Sequence, residues 1–462
     1  MSLSDLPREI LVEISHYLDN VAMNALGSTN SQVYDILISY LYRQDLAKPD
    51  SKSLIWAAKL GVESTIQRAI YARRYCNPIP ESFHTALQIA ASQGHVHLVE
   101  LLLKVDGIDL NFNRGSSSKL KATPLGLAAR KGYSSVVELL LAADGVDPNV
   151  EDAYSLTPLY WACERGHVSI VRQLLSRDDV HLNAIGSRRP TTPLIVACTN
   201  SHVTIIKLLL AKDGIDVNFR RHSNGDTPLI IAINKKLVGA VKSLLLRGDL
   251  EPNILNNIGH HVLVIAAAQG HLGILKRLLD HPDIDPNFAA RGGSTALMEA
   301  VEPDVAKVLL NQEGIEINRQ DHAGMTALCL AALRNNLEVA KLLLEREDIN
   351  INLPSNNGST PLSLACRSGI LHGSSELVGL LLRKDDIDPN IKDIHSGLTP
   401  LGQICEFDRV YDAMPIVRLL LSHPKTDLNI VDNLGFSILA RYRRRLEYLT
   451  WSADYGLPII TV

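Results

Sequence analysis

The feature that most restricts this chain is a short phrase that keeps returning. Thr-(Pro/Ala)-Leu begins at Thr85, Thr123, Thr157, Thr192, Thr227, Thr295, Thr326, Thr360 and Thr399, and weaker forms start at Ser53 (SLIWAAKLG), His261 (HVL) and Ser437 (SIL). From Thr85 to Ser437 the steps are 38, 34, 35, 35, 34, 34, 31, 34, 39 and 38 residues, a period near 34. One supersecondary unit is therefore used many times. A unit of that length cannot bury its apolar faces alone, so neighbours must stack to cover them.

Each unit carries the same parts in the same order. Thr can cap a helix with its hydroxyl, Pro suits the first helical turn, where its missing N–H costs nothing, and Leu begins an apolar face. A short helix follows, as in 85-TALQIAASQG-94, and Gly permits the turn that ends it. A second helix carries a Leu-Leu-Leu run, as at Leu101 to Leu103 and Leu208 to Leu210. An Asx-rich turn such as 144-DGVDPN-149 or 213-DGIDVN-218 closes the unit.

Composition agrees with a folded chain: 46% hydrophobic and 21% charged over 462 residues. A formal charge of -4 gives no electrostatic reason to expect nucleic acid or an anionic membrane as a partner. Asp5, Glu9, Glu13 and Asp19 interrupt any secretory core at the start, and there is no apolar run of membrane-spanning length. A cytoplasmic or nuclear protein is expected, acting as a monomer.

No catalytic or metal-binding constellation assembles in the sequence. Cys163, Cys198, Cys366 and Cys405 occupy one repeat position, ending TPLYWAC, TPLIVAC, TPLSLAC and TPLGQIC, which reads as a slot for a small buried residue. Helices in a stack sit about 8–10 Å apart, beyond disulfide reach. His95, His167, His202 and His271 all follow the turn between helices, so they spread along the stack and do not converge. The recurring Asp106, Asp109, Asp144 and Asp147 are turn formers. No phosphate loop, HExxH, nucleophile elbow or CxxC pair is present. No enzyme activity, metal or cofactor is expected.

The TPL phrase, the Ala pair, the Gly-His step and the terminal Asn together make the chain resemble the ankyrin-repeat family over roughly residues 50–440. The resemblance implies an all-α solenoid of about 11–12 helix pairs, with short β-hairpins between units. It also implies a protein-binding surface along the hairpin tips and the concave face of the first helices. On those tips lie Arg114, Lys119, Lys121, Arg188, Arg189, Arg220 and Arg221. They form either a cationic ridge for an acidic peptide, since Arg forks onto carboxylates, or ordinary solvated turns. Residues just past the Ala pair, including Arg130, Lys131, Glu164, Arg165, Arg334 and Arg367, extend the surface. Tyr160 is a candidate surface aromatic, whereas Trp161 is expected in the core.

Departures from the repeat carry shape. Glu302-Pro303 in the short unit at Thr295 should restart its second helix abruptly and disturb the curvature there. The segments 367-RSGILHGSSEL-377 and 406-EFDRVYDAMP-415 read as long inter-helix loops, either partner contacts or tolerated insertions. The basic 441-RYRRRLEYLTW-451 is either the polar outer face of a capping unit or an Arg cluster for import or an acidic partner.

The N-terminus differs from everything after it. Leu6, Ile10, Ile14 and Leu18 recur every fourth residue with Leu11 beside them, so 6–18 should form an amphipathic helix, with Pro7 in its first turn. Helical stretches follow near 21–27 and 31–45. The order Leu6-Pro7, Glu9-Ile10, Ile14, Tyr17-Leu18, Ala25-Leu26, Thr29-Asn30, Tyr34 and 41-LYRQDL-46 is similar to the F-box, in the version placed ahead of ankyrin repeats in filamentous fungi. That resemblance implies docking onto the Skp-type adaptor of a cullin ubiquitin ligase (SCF) through Leu6, Pro7, Ile10, Leu11, Ile14 and Leu18, with Leu26 and Val33 supporting. The alternative is that the segment only caps the first repeat.

The expected organisation is thus an F-box-like three-helix domain at 1–46, a degenerate first repeat and linker at 47–84, ankyrin repeats at 85–436, and a capping repeat and tail at 437–462. The expected function is a substrate receptor that presents a bound protein to the ligase. A plain ankyrin scaffold or inhibitor is the alternative.

Overall fold

The computed structural model describes residues 45–46, 51–73, 79–114, 121–187, 190–405, 413–441 and 443. The expected adaptor-binding residues Leu6, Pro7, Ile10, Leu11, Ile14, Leu18, Leu26 and Val33 lie outside them, as do most of 441–451 and the segment 406–412. Among the described residues the chain forms the twenty-two helices named below, a helical stretch at 438–441, helical residues at 45–46 and 443, and no strand; one isolated bridge joins Val431 and Ser437.

The helices fall into two compact units, one ending at His222 and one beginning at Ser223. The first unit contains five helix pairs: α1 (Lys52–Leu60) with α2 (Glu63–Arg73), α3 (Glu81–Gln93) with α4 (Val96–Leu103), α5 (Pro124–Lys131) with α6 (Ser134–Ala142), α7 (Pro158–Arg165) with α8 (Val168–Leu175), and α9 (Pro193–Thr199) with α10 (Val203–Leu210). The second contains six: α11 (Pro228–Asn234) with α12 (Val238–Leu245), α13 (Val262–Ala268) with α14 (Leu272–Leu279), α15 (Ala296–Glu299) with α16 (Pro303–Leu310), α17 (Ala327–Leu333) with α18 (Leu337–Leu344), α19 (Pro361–His372) with α20 (Glu376–Leu382), and α21 (Pro400–Cys405) with α22 (Met414–Ser422). Within each unit, first helices pack on first helices and second helices on second helices.

The repeated phrase does locally what its chemistry requires. Thr123, Thr157, Thr192, Thr227, Thr326 and Thr360 each accept the backbone N–H three residues on, at 3.0 to 3.3 Å, a cap of about 1 kcal/mol each. The following Leu is buried, at 0–1% exposure for Leu125, Leu159, Leu194, Leu229, Leu328 and Leu362, and each such burial is worth roughly 1.5–3 kcal/mol. The Gly-His step is a contact between repeats. Gly132 has φ +91° and Gly166 φ +78°, and a Cβ on either would come within 2.7 and 2.6 Å of the imidazoles of His167 and His202. The histidines are therefore spacers between layers. His95 and His202 each place Nε2 against a carbonyl of the preceding repeat, Lys59 O at 3.1 Å and Glu164 O at 3.2 Å.

The terminal Asn of each unit is the stronger tie. Asn111 donates from Nδ2 to Gly145 O at 2.8 Å and accepts Asp147 N–H at Oδ1 at 2.9 Å. Asn149, Asn183, Asn287, Asn318, Asn352 and Asn390 repeat this two-way clamp onto the next unit. Successive tips are joined by backbone bonds as well, Ala153 N–H to Lys121 O and Asn356 N–H to Ala323 O, both 2.9 Å.

Three expectations change and a fourth holds. The implied β-hairpins are tight hydrogen-bonded turns with no strand ladder among the described residues. Segment 367–372 is not loop: α19 runs twelve residues to His372 and is capped by Gly373 at φ +66°, because no Gly of left-handed conformation interrupts it earlier. Thr85 caps nothing; it lies in the second turn of α3, which starts after Pro80, because no glycine turn precedes it as Gly324 precedes Thr326. The short unit behaves as its Pro suggests: α15 has four residues and α16 opens on Pro303.

The junction with the N-terminal segment is tied down. Asp45 accepts Ser51 Oγ at 2.6 Å, Lys52 N–H at 3.2 Å and Ser53 N–H at 3.0 Å, so it caps α1 from seven residues away, and Leu46 is fully buried. Burial alone would raise the Asp45 pKa; the bonds from Ser51, Ser53 and Lys52 outweigh it and hold the carboxyl below its ordinary range.

Candidate protein-binding face

A hollow of about 430 Å³ opens in the first unit across three successive first helices. Its wall is Trp161, which occupies the fifth position of the TPL phrase, where the neighbouring repeats carry Leu127 and Val196. The indole is fixed from behind. Its Nε1–H donates to Asp152 Oδ2 at 2.9 Å, and Asp152 Oδ1 receives the amides of Tyr154 and Leu156 at 2.8 and 3.0 Å. Tyr160 meets Trp161 edge to face, 6.0 Å between centroids at 89°.

Arg130, from the repeat before, lays its guanidinium over the Trp161 ring, Cζ 4.3 Å from the centroid. Such a cation–π contact holds the charge in place for about 0.5–2 kcal/mol. Glu164, Arg165 and Asn200 complete the rim. Glu164 is tied to the next repeat through its carbonyl, which accepts Asn200 Nδ2 at 3.2 Å. The Arg165 guanidinium stands 3.5 Å from the Glu164 carboxylate. Tyr154, 39% exposed, and Leu156 form an apolar ledge beside this rim.

Of the expected site residues, Arg130 and Arg165 are brought together here. Tyr160 is corrected: at 2% exposure it is a core residue, because the fourth position of the phrase points between helices, as Ile195 and Ile230 do at 0–1%. Trp161 is buried as expected, at 6%, yet one edge forms the hollow. Its role was missed by the sequence reading, and the signal was the one aromatic in a slot that the other Thr-led phrases fill with an aliphatic residue, Glu299 or Gln403. Arg114, Lys121 and Arg220 are exposed on tips and Arg221 is half-buried. Lys119, Arg188 and Arg189 lie outside the described residues. Arg367 and Lys131 are exposed. Arg334 is bound internally, donating to Glu299 Oε2 at 2.6 Å and to Met298 O at 3.0 Å.

The thiols are not poised for chemistry. Cys163, Cys198, Cys329, Cys366 and Cys405 are buried and unbridged. Burial pushes Cys198 up to about 12 and raises Cys163, Cys329 and Cys366 as well, far from the thiolate that reactivity needs. No group of metal-ligating residues occurs among the described residues, and none of their helices is long and apolar enough to cross a membrane.

The family model described as ankyrin repeats in three copies matches residues 54–152, 113–185, 159–251, 229–321 and 304–393, well over half of the chain. The chain belongs to the ankyrin-repeat family. Among solved structures, this ankyrin chain is similar to the ankyrin repeat domain of Bcl-3, described as a unique member of the IkappaB protein family. The identity is 28% over 49% of this chain and 97% of that one, with a TM-score of 0.43. Ankyrin repeats are protein–protein interaction modules, and the stack described above is such a module.

Proposed function

We propose that this ankyrin protein is a substrate receptor, coupling a protein held on its repeats to a Skp/cullin-type ubiquitin ligase through residues 1–46. The observation that carries the reading is the F-box-like order from Leu6-Pro7 to 41-LYRQDL-46 immediately ahead of a stack of interaction repeats. Asp45 and Leu46, the described end of that segment, support it: Asp45 is bonded to Ser51 ahead of α1 and Leu46 is buried. The cargo sits on the face that holds Arg130, Trp161 and Arg165, and the tip cations Arg114, Lys119, Lys121, Arg188, Arg189, Arg220 and Arg221 are further expected contacts.

Affinity purification of the full chain is expected to bring down a Skp-type adaptor. Leu6→Asp with Pro7→Ala should abolish that recovery while leaving the helical circular-dichroism spectrum and the captured cargo unchanged. Recovery of cargo without adaptor from the unaltered chain would replace the ligase reading with a plain ankyrin scaffold or inhibitor.

A further inference from the structure

The hollow between α5, α7 and α9 has a chemistry more specific than a general binding face. We propose that it is a carboxylate site, receiving one Asp or Glu side chain from an extended acidic segment of a protein partner. The proposal rests on the reading that this face holds a protein.

The argument begins with how Arg130 is held. A guanidinium stacked on an indole is attracted to the ring face, but its N–H bonds lie in its own plane and are not consumed by that contact. The Arg130 guanidinium makes no hydrogen bond or ion pair among the described residues. It is therefore a cation fixed in position with its donors unfilled. That edge matches the two oxygens of a carboxylate, which a guanidinium binds by paired, charge-assisted bonds.

The surroundings favour an anion. Of the two nearby carboxylates, Asp152 is already satisfied by the Trp161 Nε1–H and two amides. Glu164 stands beside Arg165, and the 3.5 Å between them leaves the 53%-exposed Arg165 able to turn toward a second acceptor. The platform is also rigid. Trp161 cannot swing away without breaking its bond to Asp152, so little conformational freedom is lost when the carboxylate arrives. The neighbouring ledge of Tyr154 and Leu156 gives a flanking apolar side chain somewhere to lie, which places the acidic residue next to an apolar one in the bound segment.

The test uses the full chain, immobilised, and a library of N-acetylated, C-amidated decapeptides randomised at every position. Sequencing the retained peptides is expected to show Asp or Glu enriched about ten-fold over input, with apolar residues enriched beside it. Arg130→Gln should return the composition to that of the input, and Arg130→Lys, which keeps the charge but loses the fork, should fall between. The thermal unfolding midpoint of both variants should fall by no more than a few degrees, the loss of the single stacking contact on Trp161. Retained peptides with no acidic preference, or an acidic preference that survives Arg130→Gln, would overturn the carboxylate site. Neither result bears on adaptor recovery, so failure here and failure of the ligase reading are separately visible.

Discussion

The first and second units solve one local problem in opposite ways. In the first unit the fifth position of a repeat is Trp161, and the guanidinium stacked on it, Arg130, has no hydrogen-bond acceptor among the described residues. In the second unit the fifth position of the phrase beginning at Thr295 is Glu299, and the cation reaching it, Arg334, is closed by a 2.6 Å bond to its carboxylate and a 3.0 Å bond to Met298 O. Both fifth-position side chains are pinned to their own tips, Trp161 by Asp152 at 2.9 Å and Glu299 by Ser294 Oγ at 2.7 Å. Geometry is thus shared and chemistry differs. An arginine over an aromatic ring remains open to a visiting anion; an arginine over a carboxylate has become part of the scaffold.

The largest way to break this contrast is Trp161→Ala. Removing a buried indole that anchors Asp152 and supports Arg130 should cost about 3–5 kcal/mol of stability, read by urea denaturation, and should open α7 first in hydrogen exchange. If exchange in α7 were unchanged, Trp161 would not be the keystone of the hollow.

Acid sensitivity tests the second unit next. In place of the usual Thr, His261 caps α13: its Nδ1 accepts Leu263 N–H at 3.4 Å, its Nε2 pairs with Asn253 Oδ1 at 3.1 Å, and the ring stacks on Phe288 at 4.2 Å. Burial drives its pKa down to about 4, only partly opposed by Asp285. A histidine held neutral in the fold and free to charge when unfolded stabilises fully above its unfolded pKa of about 6.5, and that contribution is lost as pH falls toward 4. The loss is about 3 kcal/mol at most. Chemical denaturation at stepped pH should show it, and His261→Thr should flatten it. His271, whose pKa is also lowered by burial and next by Lys236, pushes the second unit in the same direction. Equal pH dependence of the parent and His261→Thr would remove His261 as the source.

The smallest effect sharpens the comparison. Glu299→Gln frees the Arg334 donors at a stability cost under about 1 kcal/mol, because the pair is partly solvated. The same peptide library should then show a weak acidic preference mapped to Arg334, absent in the parent.

Much of the fold was legible because each recurring residue acts within its own turn of chain: the Thr hydroxyl on the third amide ahead, Leu into the core, Gly at the turn. Thr85 and 367–372 were misread for the complementary reason. Helix ends there depend on whether a left-handed glycine stops the chain, and the phrase alone does not report that. The site was only half legible. Arg130 and Arg165 could be placed by alignment, but their meeting with Trp161 spans a whole repeat and depends on a ring anchored to Asp152. Tyr160 could have been placed inside by comparing its position with Ile195 and Ile230 in the other repeats.

The asparagine clamps have a mechanical consequence. Each joins one repeat to the next and to nothing further, so a load along the stack is borne in series by amide pairs such as Asn111 with Gly145 and Asp147. A repeat that yields releases about 34 residues, roughly 110–120 Å of extended chain, while its neighbours stay folded. Pulled from its ends, either unit should lengthen in even increments of that size, like a spring whose coils let go one at a time.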